Sequence, residues 1–444
     1  LRFTKTSEPP VIAPFRGLRY SKEKVPDLSQ VVSPPYDVIS PEHQGRLYER
    51  SPYNVVRLIL GRESEKDSER DNRYTRAARD YQQWQKEGIL VRDERPAIYL
   101  YEQGWQHHTR RGFIALRRLE EFGEGIRPHE NTLPGPKADR LKLIQECHAN
   151  FSPIFTLYQD QKGEVPRLLS PFFSEPPEID MVDEEHVCHR LWRLTDPDVI
   201  RLVSERMAGN PILIADGHHR YEVGLAYRNW MREKYQAAGG RALSGTAPWA
   251  LAPFNYIMMY FAWTDDPGLL IFPTHRVLLS PPPGDPASLL ARLREHYEVE
   301  SYRGEHRREF FEALDGMEKP SFGLIVSREE KLHVISALRK SEELDVVFLH
   351  RDLFRGLLGI TEGDERDPQK IAYIKEEAEV FKRVNESVGG APPRRIGIFL
   401  RAPTPEKLLQ AVQKKVVLPP KTTYFYPKLI TGLVINPIYP EERV

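Results

Sequence analysis

The chain is poor in cysteine, carries no excess of either charge and has no long apolar run. Its 444 residues include only two cysteines, Cys147 and Cys188. Two distant thiols without metal-ligand spacing exclude a disulfide framework and fit a reducing compartment. No stretch reaches the roughly 18 consecutive apolar residues of a transmembrane span. The opening stretch LRFTKTSEPPVIAPFRGLRY lacks the apolar centre of a secretion signal. These absences set the expectation of a cytoplasmic protein. Basic and acidic residues number 64 each, so the formal charge is zero. That balance gives no general electrostatic case for nucleic acid or an anionic membrane.

Several signatures are also missing. There is no G-x-x-x-x-G-K-[ST] and no G-x-G-x-x-G, which argues against P-loop and Rossmann nucleotide sites. The lack of G-x-S-x-G argues against an α/β-hydrolase. Neither H-E-x-x-H nor a paired C-x-x-C occurs, and the histidine pairs His107-His108 and His218-His219 are adjacent, so their side chains diverge. A structural zinc is not expected.

What is present is a globular composition, 40% apolar and 29% charged, which suffices for a core. Proline is frequent, at 38 residues, so pinned loops and turns should be many. Strand and helix patterns alternate. AIYLY (97–101), RRGFIALRRL (110–119), SPIFTLYQ (152–159) and PILIADG (211–217) read as strands, as does NVVRLIL (54–60). SERDNRYTRAARDYQQWQKEG, GPKADRLKLIQECHAN, DPDVIRLVSERMAG and HHRYEVGLAYRNWMREKY read as helices with recognisable starts or stops. Hairpins such as SFGLIVS and LHVISAL, joined by REEK, make a mixed sheet the expectation within an α/β (α+β) fold. QAAGGRALSGTAP (236–248) is the most linker-like stretch. It divides the chain into an expected catalytic lobe, 1–247, and a second α/β lobe, 248–444.

The sharpest chemical signal is ILIADGHHRYEVGLAYR (212–228). A strand running through Asp216-Gly217 into a helix is a recurrent anion site. Gly217 permits the tight turn. The first N–H groups of the helix, at His218, His219 and Arg220, point outward with the positive end of the helix dipole. Arg220 adds a forked cation suited to phosphate oxygens. Asp216 would repel phosphate unless a divalent metal or a hydroxyl lies between, which marks it as a candidate Mg²⁺ ligand or acceptor-orienting group. The bland reading makes Asp216 a helix cap and leaves the other side chains solvated.

Further candidates lie elsewhere. In HENTLPGPKADR (129–140), His129 or Glu130 could act as a base, and Lys137 and Arg140 could hold phosphates. In VVSPPYDVIS (31–40), Pro34-Pro35 stiffens the turn carrying Asp37, a candidate base or metal ligand. In KTTYFYPK (421–428), Lys421, Thr422 and Lys428 could reach an anion, and of these Lys421 is the ligand candidate chosen; packing is the first reading of its aromatics.

The turn IADGHHRYEVGLAY resembles the Asp-Gly-His-His-Arg turn of part of the ParB/sulfiredoxin-like superfamily, whose members include nucleotide hydrolases, sulfiredoxin and a free-serine kinase. The chain as a whole resembles a bacterial and archaeal family catalogued as domain of unknown function 1015. VVSPPYDVIS, HENTLPGPKADRLKLI with ANFSPIFTLY, LWRLTDPDVI, DGHHRYEVGLAYR and PPKTTYFYPKLITGL carry that likeness. The resemblance implies a ParB/sulfiredoxin-like core binding a nucleotide, ATP or ADP with Mg²⁺, and transferring phosphate to a small hydroxyl-bearing metabolite such as free serine. The alternatives are a nucleotide-binding and hydrolysing regulatory protein, and a hydrolase of a phosphorylated small molecule.

Overall fold

The computed structural model describes residues 9–123, 125–128, 134–237, 249–281, 286–327, 329–386, 394–414, 416, 418–419 and 421–444. The chain divides into two compact units, one reaching as far as Leu269 and taking back Pro427–Val444, the other holding Leu270–Tyr426. The boundary expected at 247/248 falls on residues outside the described set. The apolar strand just beyond it pairs within the first unit's sheet.

That sheet is built from Ile12–Ala13 (β1), Ile98–Trp105 (β2), His108–Arg118 (β3), Ile126–Arg127 (β4), Ile154–Tyr158 (β5), Ile179–Val182 (β6), Cys188–Leu194 (β7), Ile212–Asp216 (β8) and Tyr256–Trp263 (β9). Its order is β4-β8-β5-β9-β3-β2-β7-β6, with β1 on β3. β8 runs parallel to β4, and β9 parallel to β5; the other neighbours are antiparallel. The mixed sheet expected from the alternating pattern is present. Its central strands are buried along most of their length, as their near-continuous apolar runs require.

Four helices matter for the site: Arg73–Lys86 (α1), Pro134–Cys147 (α2), Pro197–Met207 (α3) and His218–Ala237 (α4). Asn72 caps α1, accepting from the Tyr74 and Thr75 amides while Thr75 takes the Asn72 N–H. Asp196 caps α3 and Pro197 opens it. From α4, Tyr221 and Leu225 join the core formed with Ile214 of β8 and Met259 and Phe261 of β9. Each such side chain contributes about 1.5–3 kcal/mol by leaving water. Gly224 lets α4 sit close to β9, because a Cβ there would lie 2.6 Å from the Ile257 side chain.

NVVRLIL, expected as a strand, contains a short helix, Val56–Ile59. Asn54 decides this. Its side-chain oxygen accepts from the Val56 N–H, and its amide donates to the Gln30 and Val32 carbonyls. This local turn held by a side chain overrides the β-branched run.

The second unit carries a six-stranded, wholly antiparallel sheet of His275–Leu278 (β10), Glu298–Arg303 (β11), Ser321–Val326 (β12), Lys331–Ser336 (β13), Ile371–Ile374 (β14) and Ile396–Phe399 (β15). The order is β11-β13-β12-β15-β10-β14. Helices Pro286–His296 (α5), Arg307–Asp315 (α6), Glu377–Asn385 (α7) and Pro405–Gln413 (α8) belong to this unit, with a π-helical stretch, Leu349–Leu357. Phe310, Val380 and Phe399 share its core. α5 ends at His296, and β11 follows from Glu298. No helix among the described residues is long and apolar enough to cross a membrane.

Candidate functional site

The Asp-Gly-His-His-Arg turn is a strand–turn–helix. β8 loses register with β5 between Ile214 and Asp216, so Ala215 is an extra residue. A bulge at the strand end re-aims the next side chain, here Asp216. Gly217 follows with φ +98°, in the left-handed region. A Cβ there would also meet the Arg220 guanidinium at 2.8 Å. Both backbone and space call for glycine. The helical ladder starts where the Tyr221 N–H donates to the Gly217 carbonyl.

Asp216 lies between two cations. Arg220 Nη2 donates to one carboxylate oxygen at 2.8 Å, and Lys428 Nζ to the other at 2.7 Å. Arg220 also donates to the Pro153 carbonyl. The three side chains are 15–19% exposed. Burial alone would push the Asp216 carboxyl up. Lys428, Arg220 and His218 overcome that and hold it well below the usual carboxylate range. Asp216 is therefore a fixed anion. Two side-chain cations offset its charge.

Lys428 is held from behind. Gln103 donates to its carbonyl at 2.9 Å, and the fully buried Arg110 donates to the Pro427 carbonyl at 2.6 Å. The same C-terminal segment brings Thr431 to Ser152, hydroxyl to hydroxyl at 2.7 Å, and pairs it through the backbone with Ser33.

Beside Arg220 is a small cavity of about 60 Å³ whose lining includes Tyr36, Arg140, Asn150 and Ser152. The Arg140 guanidinium lies 4.1 Å from the centre of the Tyr36 ring. Burial raises the Tyr36 hydroxyl, with Asp37 acting in the same direction and Arg140 and Arg220 against it. The stretches VVSPPYDVIS, GPKADR and DGHHR, distant in sequence, therefore meet around one cavity.

Similarity to known proteins follows this geometry. The model of a family described as "Protein of unknown function (DUF1015)" matches residues 12–348. The chain belongs to this family. No curated protein matches the DUF1015 chain. Among solved structures, a conserved hypothetical protein from Pyrococcus furiosus is 14% identical, covering 72% of this chain and 97% of its own, with a TM-score of 0.34. Free serine kinase in complex with AMP is 14% identical over 74% of this chain and 93% of that one, at 0.34. SbnI with C-terminal truncation, from Staphylococcus aureus, is 12% identical over 73% and 87%, at 0.30. At these scores the likeness assigns no residue of the DUF1015 chain a role.

The other expected site residues fare unevenly. Lys137 forms an ion pair with Glu222 of α4 at 2.6 Å. Arg140 is buried, bonded to Asp139 and to the Ile59 carbonyl. Asp139 also accepts from Arg73 and Tyr74. Both cations of GPKADR therefore have protein partners, as Arg220 and Lys428 do. Asp37 is exposed and makes no bond to a described residue. His129 and Glu130 lie outside the described residues. Lys421 belongs to the second unit, exposed at φ +55°, with its carbonyl accepting from Arg276. Lys428, seven residues on in the same quoted stretch, is the cation that reaches Asp216. His218 is buried and His219 half-buried at the helix start.

Mg²⁺ at Asp216 does not fit this donor set. Both oxygens are taken by cations, and a divalent ion would face Arg220 and Lys428. Among the described residues no group of three His, Cys, Asp or Glu gathers as a metal shell.

Proposed function

We propose that the Asp216–Arg220 turn binds nucleotide phosphate, that of ATP or ADP, and that the protein is a phosphotransferase for a small hydroxyl-bearing metabolite such as free serine. We class the turn with the ParB/sulfiredoxin-like phosphate sites. One observation supports the reading above the rest: Arg220 and Lys428 converge within hydrogen-bond distance of a single carboxylate at a helix start. A carboxylate oxygen and a phosphate oxygen ask for the same donors. A phosphate drawing up to the turn takes the two cations over from Asp216. Released, Asp216 orients the acceptor hydroxyl. Asp37, on the turn whose Tyr36 lines the adjoining cavity, takes the hydroxyl proton as its oxygen attacks phosphorus and the nucleotide leaves. Glu130 and His129 are alternative bases. The protein's part is positioning and charge stabilisation.

The test is incubation with ATP or ADP and a panel of hydroxyl metabolites including free serine, with phosphorylated products followed by mass spectrometry. Transfer to one acceptor, lost in Arg220→Ala, is the expected result. Nucleotide bound and hydrolysed with no transfer to an acceptor supports the regulatory reading, and phosphate release from a phosphorylated small molecule the hydrolase one. Absence of nucleotide binding overturns the phosphotransferase and regulatory readings.

A further inference from the structure

The second unit holds its own cavity, of about 420 Å³, within the 300–1,000 Å³ typical of small-ligand sites. Five charged side chains line it, and three are already committed. Arg401 grips both oxygens of Asp345, at 2.7 and 2.8 Å, and donates to the Met317 and Lys319 carbonyls. Glu343 is taken by Arg351. The remaining two are one of each sign. The half-buried Lys407 ammonium and the exposed Asp315 carboxylate have no hydrogen bond or ion pair to any described residue.

A third observation is independent of charge. Thr274 lines the cavity, is 7% exposed, and its hydroxyl has no partner among the described residues. An unpartnered hydroxyl bordering a cavity is available to whatever enters. Pro403 and Thr404, just before α8, also line the cavity, and Thr404 accepts from the Lys407 N–H. Met317 and Leu344 supply apolar lining.

We propose that this cavity binds a small zwitterion, its carboxylate at Lys407, its ammonium at Asp315, and a polar atom at Thr274. A ligand of one charge would leave either Asp315 or Lys407 unanswered. A zwitterion answers both at no net charge. The site is separate from the Asp216 turn and stands whatever that turn binds.

The experiment is calorimetric titration of the full chain at neutral pH with δ-aminovalerate and glycylglycine, against pentanoate and pentylamine, which keep one charge each. A zwitterion should bind about tenfold tighter than either single-charge analogue. Lys407→Met should erase its advantage over pentylamine, and Asp315→Asn its advantage over pentanoate. Thr274→Val should weaken it several-fold. Melting temperatures verify that each variant is folded, and any one folded variant suffices. Equal affinity for all four probes, no binding of either zwitterion, or unchanged selectivity in a folded variant would overturn the proposal. Nucleotide titrated into the same variants reads the Asp216 turn separately.

Discussion

In the first unit the Asp216 carboxylate is kept ionised between Lys428 and Arg220, whereas in the second His275 and His350 are enclosed as neutral rings. Burial, with Arg276 beside it, takes His275 down to about 4; it is 2% exposed. Burial also takes His350 down to about 4, with Arg276 and Arg355 acting in the same direction and Glu365 against it. The His275 Nδ1 accepts from the Leu400 N–H, and its Nε2 meets no described partner. His350 Nδ1 lies 2.9 Å from Glu365, and its Nε2 is likewise unmatched. The two solutions differ in use. A paired charge can be handed to a ligand. A neutral buried imidazole offers acid a place to attack.

The largest expected effect is acid sensitivity of the second unit. Both histidines have folded values below the unfolded value of about 6.5, so the unfolded chain binds more protons in that interval. Their stabilisation is fully present above pH ~6.5 and is lost as pH falls toward about 4. A drop of about 2.5 units is worth about 3 kcal/mol per histidine. Hydrogen exchange between pH 7 and pH 4 should show second-unit strands losing protection first. His350→Phe should flatten that loss by about half. Asp216 acts lower: its depressed value contributes above the unfolded carboxylate range near pH ~4 and is lost only as pH falls below that. First-unit strands opening before second-unit strands would break the comparison.

Next in size is Asp216→Ala, which leaves Arg220 and Lys428 facing each other. The cost should be about 3 kcal/mol at neutral pH, at the lower edge of the values for breaking an enclosed ion pair. Urea unfolding reads it, and added phosphate should restore part of the loss. Gly217→Ala should cost about 1–3 kcal/mol, because alanine must adopt a left-handed φ against the Arg220 guanidinium. The same glycine-to-alanine change at Gly209, where a Cβ would meet nothing, is the control. Smallest is Lys137→Met, which breaks a half-exposed pair with Glu222 and should cost at most about 1 kcal/mol. A larger loss in nucleotide affinity than in stability would mark Lys137 as a phosphate ligand.

The turn was legible because its signals are local. An apolar strand, Asp-Gly, two histidines and an amphipathic run specify strand, turn and helix without tertiary help. The partner of Asp216 was not legible in the same way. Lys428 lies 212 residues further along, and nothing local separates it from Lys421. The partners of the GPKADR cations were hidden for a related reason. Polarity marks the stretch, but only the packing of α2 on α4 shows Lys137 paired with Glu222, and only the fold shows Arg140 beside Asp139. NVVRLIL misled because one asparagine side chain outweighed a β-branched run. The apolar run of β9 suits a strand, but only pairing with β3 and β5 places it in the first unit's sheet.

The central claim is that Arg220 and Lys428 form an anion site that Asp216 fills until a phosphate arrives. Calorimetric titration of ADP into the native chain, Arg220→Ala, Lys428→Ala and Asp216→Asn tests it most directly. Each cation removed should weaken binding about 10- to 100-fold, the worth of a charged hydrogen bond of roughly 1.5–3 kcal/mol. Asp216→Asn should tighten binding, because the internal competitor has lost its charge. Unchanged affinity in both cation variants, or weaker binding in Asp216→Asn with the fold intact, would contradict the account.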